Sequence, residues 1–452
     1  MKTMLRPHAP LLTFCRSLAA LGLTLLAAGA LAAIPIQRWV QPSGATVHLV
    51  ESHGIPMVDV QIDFDAGGRR DTAVQAGLAS VTAMMLSRGV RAAGGDAALD
   101  ENALSEAWAD LGASFSAYAS SDRMGFSLRS LAYPDLLARA AQLASRQIGQ
   151  PSFAQDVWLR ERARMGAALR EANTKPATVA ARAFQAAVYG THPYGFEVTE
   201  ETLARIEVAD MRQRHAALLA PCRARASVVG ALDRAQADAL VATLLSRLAA
   251  TACAALPPVP EVAPLTRAEE RIIPFASAQA HVLIGQPGYR RADPDFFALT
   301  VGNYILGGGG FVSRLTAEVR EKRGLSYSVY SYFAPGLHAG AFTLGLQTRP
   351  DQAAQAVQVA RDVLTRFVSE GPTPAELQAA RDNLVGGFAL RIDSNRKLLD
   401  QVASIAWNGL PLDYLDTWTR EVEKVTVQDI RAAFARKLMP QRMVTVVVGG
   451  KP

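Results

Sequence analysis

Val58-Asp59-Val60-Gln61-Ile62-Asp63-Phe64 alternates apolar with polar side chains, the period of a strand with one face buried. A helical pattern follows over Val74 to Leu86. A polar strand pair comes next, Ala113 to Tyr118 with Met124 to Leu128, then a helix over Tyr133 to Ile148. The half closes on Ala226-Ser227-Val228-Val229-Gly230. The same order then recurs: a strand at His281-Val282-Leu283-Ile284-Gly285, a helix over Pro294 to Leu306, and strands at Ser326 to Tyr330 and Gly340 to Leu346. A helix over Pro350 to Glu370 and a closing strand at Val444 to Gly449 complete it. The repeated order predicts an α+β fold of two tandem similar domains, each an antiparallel or mixed β-sheet with helices packed on one face. Between them Leu256-Pro257-Pro258-Val259-Pro260-Glu261-Val262-Ala263-Pro264 is proline-rich and reads as a linker. The predicted divisions are a leader (1–33), a first domain (34–255), a linker (256–270) and a second domain (271–452).

Half of the 452 residues are hydrophobic and 19% are charged, which provides for a large core and argues against disorder. The formal charge is +6, of which Lys2, Arg6 and Arg16 in the leader supply three. That balance is too mild to point to nucleic acid or a membrane surface. The leader runs from basic residues through an apolar stretch, Leu18 to Leu26, into Ala27-Ala28-Gly29-Ala30-Leu31-Ala32-Ala33. This is the pattern of a secretory signal peptide, with cleavage expected after Ala30 or Ala32. An uncleaved anchor is the competing reading, but the apolar run is short for a bilayer. Cys15 precedes that run and is poorly placed for lipid attachment. No later segment reads as membrane-spanning, so an exported, periplasmic protein is expected. Cys222 and Cys253 remain after cleavage and could pair there; their spacing leaves this open.

Two stretches carry the functional reading. The first is the turn Ala66-Gly67-Gly68-Arg69-Arg70-Asp71 and the helix Ala76-Gly77-Leu78-Ala79-Ser80-Val81-Thr82-Ala83-Met84-Met85-Leu86. The second is Asn303-Tyr304-Ile305-Leu306-Gly307-Gly308-Gly309-Gly310-Phe311-Val312-Ser313-Arg314-Leu315 with Val319-Arg320-Glu321-Lys322-Arg323-Gly324-Leu325-Ser326-Tyr327-Ser328-Val329. Read by itself, the second is a glycine loop between two helices. The later helix carries Arg314, Arg320 and Arg323 and stops at Gly324, before a strand bearing Tyr327. No Gly-Lys-Ser/Thr follows the glycines and no Gly-x-Ser-x-Gly occurs, so neither a phosphate cradle nor a nucleophile elbow is indicated.

Together these stretches resemble the insulinase/pitrilysin family of inverted-motif zinc peptidases, over about Ile36 to Val448. Thr191-His192-Pro193-Tyr194-Gly195 is similar to another segment of that family. The family's helix carries H-x-x-E-H, two zinc-binding histidines and a water-activating glutamate. Here those positions fall on Ser80, Ala83 and Met84, none of which can do that work. The family's further carboxylate ligand corresponds to a residue between Leu159 and Ala172, with Glu161 and Glu171 as candidates. No H-x-x-E-H or H-E-x-x-H occurs elsewhere. His48 and His53 read as surface residues near a turn, and His192 reads as a loop residue. The resemblance implies that Arg320 and Tyr327 bind substrate and oxyanion in trans, with Gly307, Gly308, Gly309 and Gly310 contacting substrate. It therefore implies a chain inactive alone, holding no metal, that forms a heterodimer with a zinc-bearing paralogue and binds peptide. A noncatalytic scaffold or binding protein of the same fold is the alternative, and a self-sufficient peptidase a further one.

Overall fold

The computed structural model describes residues 34–250 and 253–449; the predicted signal peptide, with Ala30 and Ala32, lies outside the described residues. In strand β3 (Met57–Phe64), Val58, Val60, Ile62 and Phe64 enter one core, and Asp59, Gln61 and Asp63 occupy the opposite face. The alternation of the sequence is thus the two-sidedness of the sheet. Strands β1 (Gln37–Val40), β2 (Thr46–Glu51), β4 (Ser114–Ala119), β5 (Met124–Leu131) and β6 (Arg225–Gly230) join it in the order β1-β2-β6-β3-β5-β4. The second sheet contains β7 (Glu269–Ile273), β8 (Ala280–Tyr289), β9 (Ser328–Phe333), β10 (Gly340–Thr348) and β11 (Val444–Val448), ordered β7-β11-β8-β10-β9. Each sheet has one parallel pair, β2 with β6 and β7 with β11, followed by an antiparallel ladder. The repeat in the sequence is a repeat of topology.

Helices of each half cover one face of their own sheet. The opposite face takes a helix from the other half. Helices α1 (Leu78–Met85) and α2 (Gln155–Ala172) belong to the first core, and α4 (Phe296–Asn303) to the second. In contrast, α3 (Pro176–Tyr189) crosses over, laying Ala180, Phe184, Ala187 and Val188 against Ala341, Val444, Val446 and Val448. Gly285 makes room, since a Cβ there would stand 2.7 Å from the Phe184 ring. Helix α5 (Asn395–Asn408) returns the exchange, packing Leu398, Leu399, Val402 and Ile405 on Ile36, Val50 and Val229. Each large apolar side chain buried this way contributes about 1.5–3 kcal/mol, so the halves are held by the terms that hold a core.

The proline-rich linker is strapped down. Arg70 donates to the Pro257 carbonyl, His192 Nε2 to the Pro260 carbonyl at 3.0 Å, and Glu261 Oε1 accepts from Ala339 N at 2.9 Å. Its last two expected residues, Glu269 and Glu270, already belong to β7. Cys222 and Cys253 form a disulfide with Cα atoms 6.3 Å apart.

Several features differ from the sequence reading. The first predicted helix starts at Leu78 rather than Val74, because Gly77 takes φ +101° and breaks it from a preceding turn. The second starts at Phe296 and ends at Asn303, continuing as a π-turn over Tyr304–Gly308. Gly307 and Gly308 therefore lie in helix, not loop. His48 sits inside β2 and is only 5% exposed, unlike the exposed His53, because α5 covers that sheet face.

Candidate functional site

Asp71 organises the start of α1. Its carboxylate accepts from Gly77 N at 3.0 Å and Ala79 N at 3.2 Å, and meets Arg214 Nη1 at 2.8 Å. Arg214 Nη2 also donates to the carbonyls of Ala66 (2.7 Å) and Gly67 (2.8 Å), fixing the glycine turn against the helix. On the helix itself Ser80 is exposed, Ala83 is buried and Met84 packs against the core. A hydroxyl, a methyl and a thioether make no zinc site. No group of three or more His, Cys, Asp or Glu side chains among the described residues is placed to hold a metal ion.

The two candidate carboxylates are both committed elsewhere. Glu161 on α2 is buried and meets Arg164 at 2.6 Å, Arg160 at 3.1 Å and Arg88 at 3.4 Å. Burial alone would push its carboxyl up; the guanidiniums outweigh this and hold it below the usual carboxylate range. Arg88 stands four residues after Met84, so guanidinium charge balances Glu161 beside the altered helix. Glu171 is exposed and pairs with Lys175 at 2.9 Å.

The second-half segment keeps its groups free. A helical turn over Thr316–Glu321 presents Arg320; Gly324, at φ +60°, ends it by donating from its N–H to the Arg320 carbonyl at 2.8 Å. Arg320 Cζ lies 4.7 Å from the Tyr327 ring centroid and 4.8 Å from that of Phe311. Tyr327 is 80% exposed and Phe311 69%. Arg314 pairs with Glu376, and Arg323 and Lys322 with Glu318, whereas Arg320 joins no carboxylate among the described residues. Tyr327 stands one residue before β9 rather than in it, and this lifts its ring out of the ladder. Sequence reasoning passed over Phe311; its signal was its place directly after the glycine run.

The four glycines divide. Gly307 is buried, and a Cβ there would meet Ser331 N at 2.5 Å, so the missing side chain lets the glycine run pack against β9. Gly310, at φ +62°, faces open space. Beyond Tyr327, the Ser331 carbonyl of β9 accepts from Asn303 Nδ2 at 3.1 Å, and no strand but β10 pairs with β9 among the described residues. Tyr330 and Tyr332 stack from it at 6.0 Å above a cavity of about 240 Å³ between α3 and the sheet. No hydrogen bond, ion pair or ring contact among the described residues joins Ser80, Ala83 or Met84 to Arg320 or Tyr327.

Residues 205–384 match the family described as peptidase M16 inactive domain. A crystal structure of a peptidase M16 inactive domain from Pseudomonas fluorescens is 33% identical, with a TM-score of 0.86, covering 92% of this chain and 98% of that one. A protein of Helicobacter pylori named non-peptidase homolog YmxG is 25% identical over 391 residues, 84% of this chain and 86% of that protein. An uncharacterized zinc protease of Streptomyces coelicolor is 36% identical over 173 residues, 38% of this chain. The match spans 37% of that Streptomyces protein's length.

Proposed function

Because the chain belongs to the peptidase M16 family, the insulinase/pitrilysin type, and is an inactive member of it, we propose that it is the zinc-less subunit of an exported metalloendopeptidase, binding peptide and completing the active site of a zinc-bearing paralogue. One contrast carries this reading. Helix α1 has lost every ligand, while Tyr327 remains exposed and the half-buried Arg320 joins no carboxylate among the described residues. Arg320 would give charged donors to a peptide carbonyl or carboxylate, and Tyr327 a phenol donor to a developing oxyanion. Gly310, with open space around it, would let a peptide backbone approach. Zinc is assigned to the paralogue, since the donor set on α1 does not suit it.

Export to the periplasm is supported by the basic, apolar and small-residue order of the leader, and by the Cys222–Cys253 disulfide. No helix among the described residues is long and apolar enough to cross a membrane.

The test is to assay cleavage of an unstructured peptide with zinc, first by this chain, then by the paralogue, then by both. Activity in the mixture well above the paralogue's own is expected. Cleavage by this chain alone would overturn the proposal. The relative named a non-peptidase homolog favours a second reading, a noncatalytic binding protein of the same fold; it expects no gain from mixing.

A further inference from the structure

A second site lies at the far end of the first sheet, on the face that α5 covers. Arg38 on β1 stands directly across from His48 on β2, and Arg225 on β6 pairs in register with Thr46, two residues from His48. All three side chains therefore share one face. They line a pocket of about 470 Å³ whose other wall is the end of α5 and the turn after it, including Ile405, Trp407 and Leu410. No acidic side chain lines it.

Arg38 and Arg225 join no carboxylate in an ion pair among the described residues. Arg225 spends one donor on the Trp407 carbonyl at 2.8 Å and stacks its guanidinium 4.8 Å from the Trp407 ring. Trp407 is 7% exposed, and its Nε1–H has no partner. His48 is 5% exposed; its ring already holds a hydrogen bond to the Ala226 backbone, and its Nδ1, bare in the neutral ring, has no partner. Buried polar atoms are normally satisfied, so the orphaned Trp407 Nε1–H beside two guanidiniums that meet no carboxylate calls for a ligand that accepts hydrogen bonds. Ile405 and Leu410 add an apolar wall beside the guanidiniums.

We propose that this pocket binds a carboxylate carried on an apolar group, the carboxylate accepting from Arg38, Arg225 and Trp407 Nε1–H and the apolar group lying on Ile405 and Leu410. The site is separate from Arg320 and Tyr327 and does not depend on the role given to them. Binding is linked to a proton. Burial first, then the charges of Arg38 and Arg225, lower His48 from 6.5 to about 4 in the empty pocket. These two arginines are the only charged side chains lining the pocket beside His48. A bound carboxylate opposes that effect and invites a proton onto Nδ1, so binding tightens as pH falls toward about 4.

Calorimetric titration of the full chain with N-acetyl-leucine tests this, with N-acetyl-leucinamide and inorganic phosphate as comparisons. The expected result is binding of the acid with net proton uptake, and binding of the amide and of phosphate about tenfold weaker or more. Arg38→Ala is expected to weaken the acid about tenfold while leaving the melting temperature unchanged, since this exposed side chain holds no partner. Equal binding of the amide, equal binding of phosphate, no binding of the acid, or an unaffected Arg38→Ala variant would each overturn the proposal. Proton uptake, read from the unaltered chain in two buffers of different ionisation enthalpy, needs no substitution at buried His48; its absence rejects the linkage.

Discussion

The Arg320 guanidinium lies 4.7 Å from the Tyr327 ring, over its face, and meets no carboxylate among the described residues. A cation held by a ring keeps its in-plane N–H groups available, which a salt bridge would not. If these groups complete a partner's active site, Tyr327→Phe and Arg320→Ala should each lower kcat of the mixed enzyme about 10²-fold, the usual cost of a lost oxyanion donor. Thermal melting of the chain alone should not move, because Tyr327 is 80% exposed. Unchanged turnover would remove the pair from the mechanism. Lost turnover with a lowered melting temperature would point to a structural role.

Restoring the metal motif on α1 should fail in a diagnosable way. In the triple variant Ser80→His, Ala83→Glu, Met84→His, the new glutamate enters a position only 2% exposed, so stability should fall by more than about 1 kcal/mol. Zinc affinity should stay weak, because Glu161 is already held by Arg88, Arg160 and Arg164. Adding Arg88→Ala should tighten zinc, as measured by chelator competition. If the triple variant alone binds zinc tightly, the arginines are not what occupies the carboxylate.

What could be read in the chain follows interaction range. The alternation in Val58 to Phe64 showed which side chains of β3 enter the first core, because a strand's period acts residue by residue, though the polar face of β3 is buried too. Arg320 and Tyr327 were legible because a glycine-capped helix end brings residues seven apart together. The crossing of α3 and α5 was not legible. The apolar stripe of α3, Ala180 to Val188, says that a face is buried but not which sheet buries it. His48 was misplaced for the same reason, since its cover comes from α5, far along the chain. The π-turn at Tyr304–Gly308 hid in a glycine run that reads as loop, until Ser331 is seen to pack where a Gly307 Cβ would stand.

The helix exchange has a thermodynamic consequence. Phe184 of the first half fills space on the second sheet, and Leu398, Val402 and Ile405 of the second half do so on the first. Neither half keeps its packing if the other unfolds. Calorimetry should show one transition, and Phe184→Ala should lower stability by about 3–5 kcal/mol without splitting it. Trp158 in the first core and Trp418 in the second should report the same midpoint. Two separated midpoints would show that the halves fold independently.

Acidification should loosen the contact between the halves at His192. Its Nδ1 accepts from Tyr194 N at 3.1 Å and its Nε2 donates to the Pro260 carbonyl at 3.0 Å, which only the neutral ring can do. A proton on Nδ1 would face a donor. Burial, and next the charge of nearby His338, lower the ring below 6.5, against the pull of the Pro260 carbonyl, Glu261 and Asp122. The unfolded chain therefore takes up the proton more readily. His192 costs nothing above about pH 6.5 and subtracts stability as pH falls below it. The turn it caps is joined to the second half through Tyr194 Oη, which accepts from His338 N at 3.2 Å while donating to Asp122 of the first half at 2.5 Å. His215 and His48 are also lowered and act in the same direction, so the comparison must be with a variant. His192→Asn keeps an acceptor for Tyr194 N and cannot charge. Its melting temperature should fall less than that of the unaltered chain between about pH 7 and about pH 5, and hydrogen exchange in the turn at Gly336 to Ala339 should quicken less. Identical pH profiles for the two would mean that His192 stays neutral throughout, and that acid acts on this contact elsewhere.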